Sequence, residues 1–409
     1  MARVLVGLAL GLVALTATDA LASPQTYQEA TEAYLATVPA EAKARSDAYF
    51  EGGYWMQLWS FLIGVAWAVL LLRQRWSARI RDRAERISQR RNVQVFAYWT
   101  MYSLLSAAAL LPWTYYSGFV REHEYGLATQ TAGAWFGDWA KGQGLAVVLG
   151  GLAIMLLYAV FRRAPRRWWL WGAGVSLVLL VIAMALGPVY ISPLFNEYTP
   201  LADGPVKSAV LQMAHANGVD ANEIFMSDAS AQSTRISANV AGMLGTERIT
   251  LNDNLLERCS QAEIEAVMGH ELGHYVLNHM YESLVFFGVL AVIAAAFVRW
   301  GFAWFVQRHG ERCGVRGIDD PAGLPVLGLL LSIFGFLATP VTNSYIRANE
   351  AEADIFGLNA ARQPDGFATT ALKLGEYRKL DPGPIEEVLF FDHPSGRTRI
   401  EMAMRFKHR

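Results

Sequence analysis

The chain has 409 residues, 53% of them hydrophobic and 12% aromatic, with 35 Lys and Arg against 36 Asp and Glu. That length allows more than one domain and the apolar content exceeds that of an average soluble protein; a net charge of −1 leaves no broad charged face for nucleic acid. Cys259 and Cys313 are the only cysteines and form no CxxC pair, which excludes a disulfide scaffold and a cysteine-ligated zinc module.

The chain opens MARVLVGLALGLVALTATDALASPQ. Arg3, an apolar core and Ala20-Leu21-Ala22 before Ser23 have the pattern of a secretory signal peptide over residues 1–22; an uncleaved first transmembrane helix is the competing reading. Both place the residues that follow outside the cytoplasm. Apolar segments at 54–72, 95–113, 144–161, 168–191 and 324–341 reach or approach the roughly 20 residues that a bilayer crossing needs. A further one, 283–298, is short but continues past Arg299. Trp and Tyr gather at several segment ends, as in interfacial belts. The fold class is therefore mainly α and multi-pass. Residues 23–191 form an N-terminal transmembrane region, 192–282 and 343–409 read as soluble-like, and 283–342 form a helix pair between them.

The connecting loops carry the orientation. Residues 73–94 hold eight arginines, from Arg73 to Arg91, and 162–167 reads RRAPRR. The positive-inside rule puts both in the cytoplasm, and Arg308, Arg312 and Arg316 fit the same side. Counting crossings then places 114–143, 192–282 and 343–409 outside the cytoplasm, and Cys259 and Cys313 on opposite sides.

The stretch GHELGH, Gly269 to His274, carries the chemistry. Two histidines at i and i+4 share one helix face and can hold one Zn²⁺; Glu271 can act as general base on the water that zinc acidifies. Ser260 and Glu263 make a capping box that opens the required helix. A catalytic zinc wants a third protein ligand. His279 lies five residues past His274, outside the usual spacing, and reads as a surface histidine or one that supports a ligand. Glu350 is the better candidate, and Asp354, four residues on, can take the other ring N–H of a ligand histidine. Glu352 falls on another face and reads as solvent-facing. His393 and Arg399, in HPSGRTR, have the chemistry to stabilise an oxyanion, although a histidine in that setting is more often at a helix start or on the surface.

Together, LPWTYYSGFVREHEYGLATQT (111–131), YISPLFNEYTPLADGPVKSAV (190–210), RITLNDNLLE (248–257), GHELGHYVLNH (269–279), ANEAEADIFG (348–357) and HPSGRTR (393–399) resemble the type I CAAX prenyl proteases. These are integral-membrane zinc endopeptidases of the gluzincin group, with the HtpX heat-shock proteases as more distant relatives. The resemblance implies a helical barrel or bundle enclosing a chamber, with a small α+β zinc-peptidase domain. It implies a single Zn²⁺ on His270, His274 and Glu350, with Glu271 as catalyst, Asp354 behind the ligands, and His393 and Arg399 near the cleavage site. It also implies an extended substrate paired by its backbone along Ser237, Ala238, Asn239 and Val240. There the family's usual Asn-Ala-aromatic-aromatic is replaced.

Two departures bear on the substrate. Relatives that act on prenylated proteins face the cytosol, whereas the arginine loops here place the site outside, and residues 1–94 do not align convincingly with the family. The expected function is a zinc metalloendopeptidase of the cell (inner) membrane that acts on peptide or protein substrates within a lipid bilayer. Its site faces the extracytoplasmic side, with a cytoplasm-facing site as the alternative. The substrates are either CAAX-type lipidated peptides or misfolded membrane and envelope proteins. An inactive membrane scaffold is the reading from another class.

Overall fold

The computed structural model describes residues 24–241 and 248–408. The leader or first helix expected over residues 1–22 lies outside them. The chain divides into two compact units, one within Met1–Tyr54, Asn196–Met280 and Thr339–Arg409, the other Trp55–Phe195 and Tyr281–Ala338.

Among the described residues, six helices are long and apolar enough to cross a membrane: Ala40–Arg73, Arg91–Glu124, Ala132–Arg163, Trp168–Leu194, His279–Cys313 and Pro321–Ala361. They contain all six apolar segments expected from sequence. Val285, Trp300 and Leu337 stand 69%, 69% and 70% exposed along them, a surface that suits hydrocarbon and not water. The second unit has its own core, in which Leu72, Tyr98, Tyr158, Phe302 and Val326 pack together. The Arg-rich segment folds as helix Trp76–Ile87. Its Arg81 is buried because the guanidinium donates to Asp320 at 2.7 Å and to the Gly314 carbonyl at 2.8 Å.

The first unit contains a four-stranded sheet: β1 (Tyr198–Pro200), β2 (Ile224–Ser227), β3 (Ala238–Ala241) and β4 (Arg248–Asn252). The order is β1-β2-β4-β3, with β2 and β4 parallel and the other pairs antiparallel. β3 therefore forms one edge. The helix Gln261–Val276 buries Ile264, Met268 and Leu272, spaced four apart on one face, against Ile224, Ile249 and Leu251 of the sheet. A second core joins Ala266 to Leu358, Phe367, Ile400 and Met404. Tyr27 belongs to that core, so helix Pro24–Ala36 packs in this unit, whereas sequence alone grouped residues 23–191 as one transmembrane region.

The expected capping box is present. Ser260 Oγ accepts from the Glu263 N–H, and Glu263 Oε2 accepts from the Ser260 N–H at 2.7 Å. Lys373 Nζ also donates to Glu263, at 2.7 Å, and ties the helix start to Pro364–Leu374.

Candidate metal centre

His270 and His274 occupy successive turns of Gln261–Val276, and Glu350 comes from Leu324–Ala361. Their ligand atoms converge. His270 Nε2 and His274 Nε2 are 3.1 Å apart, and each lies 3.3 Å from a different oxygen of Glu350. Metal–ligand bonds of about 2.0–2.1 Å at tetrahedral angles give ligand–ligand edges of about 3.3 Å, so the three groups fit one small cation. The carboxylates of Asp354 and Glu350 outweigh burial and push His270 up to about 10.

Backbone packing makes the convergence possible. A Cβ added at Gly357 would lie 2.7 Å from the His270 nitrogen, and one at Gly269 would lie 2.9 Å from the Gly357 carbonyl oxygen. The two helices cross at these glycines, which brings the Glu350 and Asp354 turns beside the histidines. Asp354 is fully buried, and its Oδ1 lies 2.8 Å from His270 Nδ1. The contact is an ion pair, and neither atom has a hydrogen-bond partner among the described residues. That pairing turns His270 Nε2 toward the cation position. Arg399 donates to Asp354 Oδ2 at 2.9 Å and to Glu350 Oε2 at 3.1 Å, bracing both carboxylates.

Glu271 lines an adjoining cavity of about 150 Å³ together with Ser237, Ala238, Tyr377, Arg378, His393 and Arg399. Burial raises its carboxyl above the ordinary range, which makes it a stronger base. His393 puts Nε2 3.2 Å from Glu350 Oε2 and Nδ1 2.7 Å from Asp392 Oδ1. Burial holds it below its usual 6.5, against the pull of Asp392. Ser237 and Ala238 bring the start of β3 to the same cavity, and Asn239 and Val240 continue along the sheet edge. All the site residues read from sequence therefore meet in this one unit.

Sequence reasoning missed two neighbours, Arg378 and Asp392, and left His279 between two readings that the structure decides. Arg378 lines the cavity without a hydrogen bond or ion pair among the described residues, and burial lowers its pKa. Asp392 backs His393. His279 is buried, at 4% exposure, with Nδ1 3.0 Å from His274 Nδ1, so it is a neighbour of a ligand and not a surface residue. The adjacency of Asp392 and His393 in FDHPSG was the only signal available for the first two.

Residues 200–406 match the model of peptidase family M48, and residues 24–197 match the CAAX prenyl protease N-terminal model, described as five membrane helices, so residues 24–94 do align with the family, against the expectation from sequence. An uncharacterised metalloprotease of Bacillus subtilis is 28% identical over 351 residues, covering 84% of this chain and 82% of that protein. CAAX prenyl protease 1 of Saccharomyces cerevisiae is 36% identical over 328 residues, covering 75% and 71%. The crystal structure of Ste24p from S. mikatae superposes with a TM-score of 0.77 at 23% identity, covering 92% of this chain and 93% of that one, and shows that the fold is shared. The chain belongs to peptidase family M48, among the type I CAAX prenyl proteases: it is a multi-pass membrane metallopeptidase that hydrolyses peptide bonds.

Proposed function

We propose that the metal is one zinc ion held by His270, His274 and Glu350, and that the chain is an endopeptidase. The triangle of two imidazole nitrogens and a carboxylate beside Glu271 is the observation that carries this reading. When bound, zinc supplies a Lewis acid and a water acidified toward neutrality. The substrate lies extended along the edge of β3 and pairs with its backbone. Glu271 takes the proton of the attacking water and passes it to the leaving amine. His393 donates from Nε2 to the developing oxyanion in its protonated form, which Asp392 favours and burial opposes. Arg399, committed to two carboxylates, steadies Glu350 and Asp354 and adds positive potential nearby. Glu350→Ala tests the ligand set: zinc content by atomic spectroscopy should fall to near zero, and an unchanged content removes Glu350 from it.

In our reading the site faces the extracytoplasmic side. The three segments of its unit are separated by four crossings and then two, so they share a side, opposite the arginine loops. Asp220 and Gln89 are exposed, and cysteines introduced there, in a chain freed of Cys259 and Cys313, should label from opposite faces of the membrane. Protection of position 220 from an impermeant reagent in intact cells reverses the orientation. An outward site favours misfolded membrane and envelope proteins as substrates. The similarity to CAAX prenyl protease 1 of Saccharomyces cerevisiae favours a second reading, lipidated CAAX-type peptides.

A further inference from the structure

We propose that His279 is a positioning residue that fixes the tautomer and ring orientation of His274. The proposal rests on the reading of His274 as a metal ligand. His274 Nε2 faces His270 Nε2 at 3.1 Å and Glu350 Oε1 at 3.3 Å, so a ligating lone pair sits on Nε2 and the ring proton on Nδ1. The group that receives this proton is His279 Nδ1, at 3.0 Å. His279 must then be bare at Nδ1 and protonated at Nε2. That nitrogen faces Glu352, whose carboxylate lies 3.5 Å away, too far for a formed hydrogen bond, so Nε2 has no hydrogen-bond partner among the described residues. The proton shared between His274 and His279 thus has one place, on His274 Nδ1, and the lone pair of His274 Nε2 faces the metal position.

The backbone explains how a residue five positions on can do this. On a continuous helix, i+5 points about 140° away from residue i. The helix Gln261–Val276 ends, and Asn278 takes the left-handed conformation at φ 64° before the next helix starts at His279. Asn is among the few residues that visit this region readily, and the turn it makes returns His279 to the face of His274. His279 is 4% exposed, so bulk water does not replace it. The two ligand histidines are therefore supported unequally. His270 leans on the buried carboxylate of Asp354, whereas His274 leans on a neutral imidazole with a half-exposed carboxylate behind it. An imidazole acceptor leaves His274 a weaker electron donor than His270, which keeps the bound metal a stronger Lewis acid.

Two substitutions of similar polarity separate hydrogen bonding from packing. Asn at 279 places an amide oxygen near the position of Nδ1, whereas Gln reaches the position of Nε2 and leaves the proton of His274 without an acceptor. The full chain, purified in detergent and stripped of metal, is titrated with Zn²⁺ against a chromophoric chelator, with His274→Ala as the reference. Loss of a partner of this kind weakens metal binding by about 10–100-fold. His279→Gln should show a loss in that range and an altered visible spectrum of the Co²⁺ form. His279→Asn should stay within about threefold of the wild type, well inside that range. Wild-type affinity in His279→Gln, or equal weakening in both variants, overturns the proposal. Retained affinity in His274→Ala instead overturns the ligand assignment beneath it.

Discussion

Gly357→Ala probes the helix crossing on which the metal centre depends. The added Cβ would lie 2.7 Å from the His270 nitrogen and 3.0 Å from the carbonyl carbon of Gly269. That is roughly 0.8 Å inside the ~3.5 Å contact distance, and both obstacles are backbone, so no side chain can swing aside. Alanine favours a helix over glycine by about 1 kcal/mol. Overpacking of this kind costs about 1–3 kcal/mol. The steric term wins, and the helices separate. Asp354 and Glu350 lie one and two turns before Gly357 on the same helix, so a separation of a few tenths of an ångström is carried to the ligands. Metal sites tolerate about 0.2 Å in ligand distance. Chelator competition should show zinc affinity reduced by at least about tenfold, the equivalent of 1.4 kcal/mol, with a lowered Tm. An affinity within about twofold of the wild type would show that the close crossing does not set the ligand geometry.

Other outcomes follow from single residues. Zinc must displace the proton that Asp354 and Glu350 hold on His270 up to about 10, so the apparent Kd should rise about tenfold as the pH drops from about 7.5 to 6.5; pH-independent affinity contradicts that electrostatic picture. Burial would raise Glu263, but Lys373 and the Ser260 N–H outweigh it and hold it below its usual 4.5. Its contribution is therefore present above about pH 4.5 and lost as the pH falls through the lowered value. Glu263→Gln should cost about 1–2 kcal/mol at neutral pH, read by thermal melting, and the gap to the wild type should close in acid; a constant gap assigns the effect to shape alone. Arg378 lines the cavity with no hydrogen bond or ion pair among the described residues, so its guanidinium can meet a substrate carbonyl or carboxylate. Arg378→Met should raise KM about tenfold with less effect on kcat, and an unchanged KM removes it from substrate contact.

Much of this was legible because it is periodic. The i, i+4 pairs His270/His274 and Glu350/Asp354 survive folding as helix faces, and the apolar runs became the six long helices. The hidden features depend on breaks in periodicity or on tertiary approach. His279 looked misplaced because a continuous helix was assumed, and Asn278 breaks it with φ 64°. Gly269 and Gly357 are ordinary helical glycines until their backbones meet. Residues 24–36 were grouped with the N-terminal transmembrane region because nothing local shows that Tyr27 packs beside Ile400 and Met404. Arg378, in YRKLDPG, carries no local signal, since only the folded cavity places it beside His393.

The central claim is that His270, His274 and Glu350 hold the metal while Glu271 performs the proton transfers. Zinc content and peptide turnover measured on one preparation of the Glu271→Gln protein test both halves at once. We expect about one zinc per chain, as in the wild type, with turnover reduced by about 10²–10⁴-fold, the usual contribution of a general base. Full turnover with zinc in place would contradict the role of Glu271, and loss of zinc would mean that Glu271 belongs to the ligand set.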